Sequence, residues 1–294
     1  MANPSNVVGG ACPWCGHVND LAARACRGCG AAITAAPVAD ESGWIEMPGA
    51  KDLAELQFGR SNLQIAGKVV PVADFNLAEG DDVYFAHHQL LWKDPRVQVI
   101  TRSLKGGWKR LFAGMPLVMV EAKGPGHIAF SRDVPGELVA VPLDVGQEID
   151  VREHVFMVAS GSVAYDWFPT GVWYRTQNGD ETEMHYPMGM FMDRFSAPAR
   201  PGLLLLHGAG NLFTRTLQPG ETLYVRPRAL VYKSSLVSMH LVIQSQQLGV
   251  FTGFLSYLWL QLRGPGKVAI QSADKHHEEH RQPIVATSGS YASF

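Results

Sequence analysis

The chain of 294 residues has no cysteine beyond Cys29, no stretch with a helical hydrophobic period, almost no net charge and no unbroken apolar run of membrane length. Each lack removes a class of explanation. Cysteines confined to the first thirty residues cannot staple the rest, which must be held by an apolar core; 46% hydrophobic residues supply the material for one. A formal charge of −2 gives no global pull toward nucleic acid or an acidic membrane, although a local patch can hide inside a neutral total. The uncharged run from Leu241 to Leu262 is interrupted by Gln244, Ser245, Gln246, Gln247 and Gln261, whereas a bilayer crossing needs roughly 20 predominantly apolar residues; buried strands suit it better. The opening MANPSNVVGGACPWC lacks the basic segment and apolar stretch of a secretory signal, so a cytoplasmic protein without a membrane span is expected. Walker loop, dinucleotide fingerprint and any coherent nucleophile-base-acid set are also missing, and the expectation is a protein that is not an enzyme.

What is present is self-similarity. Gly-x-Gly occurs as Gly124-Pro125-Gly126 in GPGHIAFS, as Gly208-Ala209-Gly210 in HGAGNLFTR and as Gly264-Pro265-Gly266 in GPGKVAIQ. A glycine-acid-apolar start precedes each pair: GDDVYFAHHQLLW from Gly80, GQEIDVREHVFMV from Gly146 and GETLYVRPRALVY from Gly220. The interval from start to pair is 44 residues in the first and third copies and 62 in the second, which reads as one unit built three times with an insertion in the middle copy. Short β-branched and aromatic runs punctuated by Gly and Pro make each copy, and residues 254–263 alternate with a strand's period of two. The expected core, residues 49–272, is therefore mostly β, with strands resembling those of a double-stranded β-helix. Gly124, Gly126, Gly208, Gly210, Gly264 and Gly266 are expected to be structural, at positive φ or at close backbone approaches. A phosphate cradle would need a helix after the glycines, and IAFS, LFTR and VAIQ read as strands.

The most specific motif is Cys12-Pro-Trp-Cys15 with Cys26-Arg-Gly-Cys29. Two such pairs suit a tetrahedral Zn²⁺, each pair forming a turn whose thiolates face one ion while Gly16 or Gly30 permits the tight backbone. Disulfides conflict with the missing export signal, and a redox pair would need a surrounding βαβ pattern. Residues 1–30 are read as a zinc ribbon, closed and structural, with metal binding supplying its folding free energy. Trp14 either anchors a partner or packs on the ribbon itself. Residues 31–48, rich in Ala, Pro and acidic residues, read as a flexible linker, and residues 273–294 as a polar tail.

The remaining candidates are weaker. Lys105, Lys109 and Arg110 beside Trp108 could meet phosphate or an acidic partner, or be solvated charge at a strand connection. His87, His88, His154 and His207 lack the ligand spacing of a metal-binding β-helix. His276 and His280 could share a helix face, or belong to a frayed tail. The insertion in copy two contains a hairpin signal at Asn178-Gly179 and a cluster of Trp173, Met184, Met188, Met190, Phe191 and Met192. Such adaptable apolar surface suits a protein partner, the alternative being that it caps one end of the β core.

The stretches GGWKRLFAG, GPGHIAFSRDVPGELVAVPLDVGQ, HGAGNLFTRTLQPGETLYV and WLQLRGPGKVAIQS resemble the altered-inheritance-of-mitochondria protein 24 family, from Leu63 to Ser272. The resemblance implies a fold similar to the tryptophan RNA-binding attenuation protein, with β units around a pseudo-threefold axis. Met115-Pro116 departs from the family pattern, and the ribbon lies outside the match. The family implies no settled reaction, so a non-enzymatic scaffold or partner-binding protein is expected. A module binding RNA or a small ligand is the alternative. Balanced charge argues against nucleic acid, and association of copies of the chain is left open.

Overall fold

The computed structural model describes residues 11–12, 14–20, 23, 25–33, 39–47, 54–102, 119–132, 134–178, 181–247, 254–273 and 284–285. Strands dominate them. After β1 (Ile45–Glu46), β2 (Ala54–Phe58) and β3 (Ser61–Ala66), the first copy runs through β4 (Val72–Leu77), β5 (Asp82–Ala86), β6 (Leu90–Lys93), β7 (Gln98–Thr101), β8 (Met119–Lys123) and β9 (Gly126–Ser131). The second comprises β10 (Glu137–Leu143), β11 (Glu148–Arg152), β12 (Phe156–Ser160), β13 (Ala164–Pro169), an inserted hairpin β14 (Tyr174–Asn178) and β15 (Glu181–His185), then β16 (Phe191–Ser196) and β17 (Gly202–Gly208). The third comprises β18 (Leu212–Leu217), β19 (Thr222–Val225), β20 (Leu230–Ser234), β21 (Ser238–Gln247), β22 (Phe254–Arg263) and β23 (Gly266–Gln271), and β24 (Ile284–Val285) follows. The mostly-β expectation holds. The basic cluster at Lys105, Trp108, Lys109 and Arg110, the Met115-Pro116 pair, Gly179 and the tail histidines His276, His277 and His280 lie outside the described residues.

Three local features recur in register and establish the triplication. In each copy the first strand ends in a turn whose glycine has positive φ: Gly80 at 82°, Gly146 at 83° and Gly220 at 80°. The turn is closed by Asp81 N–H to Ala78 O, Gln147 N–H to Asp144 O and Glu221 N–H to Gln218 O. Later, β6, β12 and β20 carry a bulge at the same place, between Leu90 and Trp92, Phe156 and Val158, and Leu230 and Tyr232. A side-chain oxygen at the end of each of these strands then caps the start of a following strand: His127 N–H donates to Asp94 Oδ2, Leu203 N–H to Ser160 Oγ and Lys267 N–H to Ser234 Oγ, at 2.9–3.0 Å.

That third feature corrects the alignment of copy two. The counterpart of Gly126 and Gly266 is Gly202, not Gly208 or Gly210. A Cβ on Gly126 would meet Val97 Cγ2 at 3.1 Å, one on Gly266 would meet Val237 Cγ2 at 2.8 Å, and one on Gly202 would collide with Cγ2 of Val163, the matching valine. The strand passes too close for a side chain, so glycine is required. Counted to these glycines the intervals are 46, 56 and 46 residues, and the insertion shrinks to the β14–β15 hairpin and its flanks.

Contacts divide the chain into two compact units. The first comprises Met1–Gln147, Phe156–Ala164 and Ser196–Leu212. Its sheets, ordered β2-β3-β4-β9-β6 and β10-β17-β12-β5-β8-β7, enclose a common core. There Leu63, Ile65, Phe75 and Phe130 of one sheet meet Phe85, Leu138, Met157 and Leu205 of the other. Phe130 packs on Phe75 and Phe85 with ring centroids 5.4 and 4.6 Å apart. The end of the segment expected as a linker is anchored here: Asp40 Oδ1 accepts from Ser42 and Trp44 N–H, and Met47 N–H donates to Leu212 O.

The second unit comprises Glu148–Val155, Tyr165–Phe195 and Phe213–Phe294. It contains the strand series β18-β23-β20-β11-β16-β13 and the three-stranded sheets β19-β22-β21 and β15-β14-β24. At its centre Asp150, fully buried, accepts from Lys233 Nζ at 2.6 Å and from Arg194 Nε at 2.7 Å. Desolvation pulls the Lys233 ammonium below its usual range, opposed by attraction to Asp150.

Candidate metal centre and binding faces

The four cysteines converge. Cys12 and Cys29 Sγ are 3.8 Å apart, Cys15 and Cys26 Sγ 3.6 Å apart, and all four lie within 4.8 Å of one another. Two knuckles offset by fourteen residues build the cluster. In the first, Gly16 N–H donates to Cys12 O and Cys12 N–H to His17 O; in the second, Gly30 N–H donates to Cys26 O and Cys26 N–H to Ala31 O. Bridges Ala11 to Val18 and Ala25 to Ala32 close them. Gly16 and Gly30 sit at φ 77° and 75°, as the tight turns demand.

The donor chemistry fits a thiophilic cation. Gly28 N–H and Asn19 Nδ2 donate to Cys26 Sγ at 3.3 and 3.4 Å, bonds that favour a thiolate there. Hydrogen bonds from Cys15 and Cys29 hold the Cys26 thiol far below its ordinary value, while the bond to Cys26 pushes Cys15 up to about 12, and the bonds to Cys15 and Cys26 push Cys29 up as well. Without a cation, then, one sulfur can ionise only if its neighbours keep their protons; a divalent ion at the centre would relieve that conflict. His17 is exposed beside the cluster, and Trp14 packs against the buried Cys12, Cys26, Cys29 and Ala31, which answers its earlier ambiguity in favour of the ribbon's own core. The ribbon is also seated on the first unit, where Gln57 N–H on β2 donates to Arg27 O at 2.8 Å.

A cleft of about 650 Å³ opens beside it, lined by His17, Asp81, Asp82, Asp144, Ser160, Ser162 and Arg200 among others. Burial, and then the charge of Glu121, raises the Asp82 carboxyl above the usual carboxylate range. The histidines singled out in the sequence do not add a centre. His87 and His88 pack edge to face, His154 occupies a turn at φ 66° and His207 is buried on β17. Among the described residues the cysteines are the one group of three or more His, Cys, Asp or Glu side chains placed to share an ion.

The methionine-rich insertion is mainly core, which corrects its reading as one partner surface. Met188, Phe191 and Met192 are buried, Trp173 and Met190 partly buried, and Met184 is exposed on the β15 hairpin. On β16, an interior strand between β11 and β13, the consecutive residues Phe191, Met192 and Asp193 are all buried, so neither face of its start is open to solvent. The paired glycines divide by role. Gly126, Gly210 and Gly266 have φ of 134°, 69° and 140°. A Cβ on Gly124 would strike Ala78 O, on Gly264 Gln218 O, and on Gly208 the Leu212 side chain at 2.5 Å.

A different exposed face was not singled out in the sequence. On the β19-β22-β21 sheet, Leu260 and Leu262 point inward and are buried, whereas Tyr257, Trp259, Gln261 and Arg263 alternate with them. Tyr257 and Trp259 stack with centroids 6.3 Å apart, and Trp259 Nε1 donates to Gln244 Oε1 across the pair. Strict alternation in residues 254–263 was the available signal; which face it left open could not be read without the sheet's partners.

The model for mitochondrial biogenesis AIM24 matches residues 63–273. The crystal structure of protein SPYM3_0169 from Streptococcus pyogenes has a similar fold, with a TM-score of 0.52 at 20% identity over 73% of this chain and 94% of that one. No curated protein matches the chain. With the repeats, the strand order and the match all falling on the same residues, the chain belongs to the mitochondrial biogenesis AIM24 family.

Proposed function

We propose that the protein is a non-catalytic binding protein of the cytoplasm, with a ribbon folded around one structural zinc ion and a protein-recognition face on the β19-β22-β21 sheet. The observation that carries this reading is the outward stack of Tyr257 on Trp259, with Tyr257 44% exposed, on a sheet whose opposite face is core. Aromatic side chains bring large contact area at low conformational cost, and here glutamines interleave them with hydrogen-bonding groups. Arg263 is the cation among the described residues of β22's outward side, too little charge for a nucleic-acid backbone to be the preferred occupant. Four thiolates complete a tetrahedral shell, so the ion would keep no open position for substrate and serves folding. Six paired glycines fit this account as structural positions.

Affinity capture with the full chain and with Trp259→Ala/Tyr257→Ala, matched by circular dichroism, tests the face. Loss of the captured proteins with an unchanged spectrum is expected, and undiminished capture by the double variant refutes it. RNA remains the outcome to distinguish: salt-sensitive binding of a labelled single-stranded RNA, abolished by the same substitutions, would replace the protein reading.

A further inference from the structure

The cleft of about 650 Å³ beside the ribbon lies wholly within the first unit. It forms where the turns after β2, β4, β10 and β12 come together with the first cysteine knuckle, bringing Gly59, Asp81, Asp144, Gly161 and His17 onto one space. Its volume falls in the range of small-molecule sites, roughly 300–1,000 Å³. Absent side chains make the room, since six of the lining residues are glycines. Two of them also seat a neighbour: a Cβ on Gly161 would collide with the Asp82 carboxylate, and one on Gly28 would meet Cβ of His17 at 2.8 Å. Asp82 therefore lies against bare backbone in the cleft.

Several polar groups of the cleft are committed to its own walls. Ser160 Oγ accepts from Leu203 N–H at 2.9 Å and lies 3.0 Å from Ser162 Oγ, which donates to Pro201 O at 3.0 Å. Asp81 Oδ2 holds the turn after β2, accepting from Arg60 N–H at 2.8 Å and Ser61 Oγ at 2.7 Å. Two charged side chains are not so committed. Among the described residues neither the Asp82 carboxylate nor the exposed Arg200 guanidinium makes a hydrogen bond or an ion pair, and the two do not pair with each other. The pull of Arg102 and Lys123 on Asp82 is outweighed by burial and by the repulsion of Glu121. Opposite charges that share a space without meeting are the complement of a molecule that carries both.

We propose that this cleft binds a free amino acid with a cationic side chain, lysine being the simplest. Arg200 takes the carboxylate, for which its planar fork of donors is suited. Asp82 takes one ammonium, which replaces the solvation its burial removes. Asp144, exposed and bonded to Gln147 Nε2 at 3.5 Å, faces the other. Phe58, Pro142 and Leu143 offer apolar wall to the methylenes between them. Among the described lining residues three carboxylates stand against one guanidinium, a balance that repels a phosphate or a second acid group. The carboxylates are not placed to share a metal ion, so the cation that satisfies them is an extended organic one. Cys15, Gly16, His17 and Gly28 form one wall, which gives the ribbon a place in the site. The proposal does not depend on the Tyr257–Trp259 face.

Isothermal titration calorimetry of the full chain, prepared with zinc, tests it with three probes: lysine, 1,5-diaminopentane, which lacks the carboxylate, and norleucine, which lacks the side-chain ammonium. Lysine should bind, and each of the others about tenfold more weakly, the loss of one charged hydrogen-bonded contact. Arg200→Ala should weaken lysine about tenfold and leave diaminopentane unchanged, whereas Asp82→Asn should weaken both about tenfold. Circular dichroism checks that each variant is folded; Arg200 is exposed, so its replacement keeps the test open even if Asp82→Asn misfolds. No heat from lysine at millimolar concentration, diaminopentane binding as tightly as lysine, or an Arg200→Ala loss equal for both probes overturns the proposal, as does a folded Asp82→Asn chain with unchanged lysine affinity.

Discussion

Replacing Asp150 by Asn would remove a charge without changing the shape of the side chain, and its cost can be worked from the site. Asp150 is fully buried and Lys233 is 4% exposed, so the substitution strands an ammonium in the core. Breaking a buried pair from one side costs about 3–5 kcal/mol. The cost also has a ceiling, because Lys233 can shed its proton instead. From the ordinary lysine value of 10.5, neutralisation costs about 1.36 kcal/mol per pH unit, about 5 kcal/mol at pH 7 and about 2 kcal/mol at pH 9. The folded-state pKa of Lys233 lies below its unfolded value, and further below in the variant. Between the two values the unfolded chain binds more protons, so stability must rise with pH across that window. Urea unfolding of Asp150→Asn should thus show a loss of about 3–5 kcal/mol at pH 7, shrinking to about 2 kcal/mol at pH 9. Adding Lys233→Met should recover most of it, since it removes the buried ammonium that Asp150→Asn leaves without its carboxylate. An equal loss at both pH values, or no recovery in the double variant, would refute the reasoning.

Two further outcomes follow from the copies and the ribbon. Gly202→Ala should destabilise the fold by about 1–3 kcal/mol through overpacking against Val163, measurable as a lowered urea midpoint, and an unchanged midpoint would undo the corrected alignment. Native mass spectrometry should find one zinc ion per chain, lost in Cys26→Ser; a metal-free chain with two disulfides would exclude the centre.

The cysteine spacing and the glycine-acid openings at Gly80, Gly146 and Gly220 were legible because each is a local demand of the backbone. Copy two was misaligned because HGAG offers a Gly-x-Gly of its own, at a different position in the fold. The transferable signal was Pro-Gly, present as Pro125-Gly126, Pro201-Gly202 and Pro265-Gly266. Methionine content alone did not distinguish a face from a core: Met188 and Met192 are buried, and burial is set by tertiary packing that composition does not record.

The bond from Gln57 N–H to Arg27 O ties the thiol cluster to the outermost strand of a sheet. Whatever opens the cluster, whether peroxide, an electrophile or a strong chelator, also uncaps that strand. Thiol damage confined to the first thirty residues should consequently surface as clumping of the whole chain, and a reductant supplied early should prevent it.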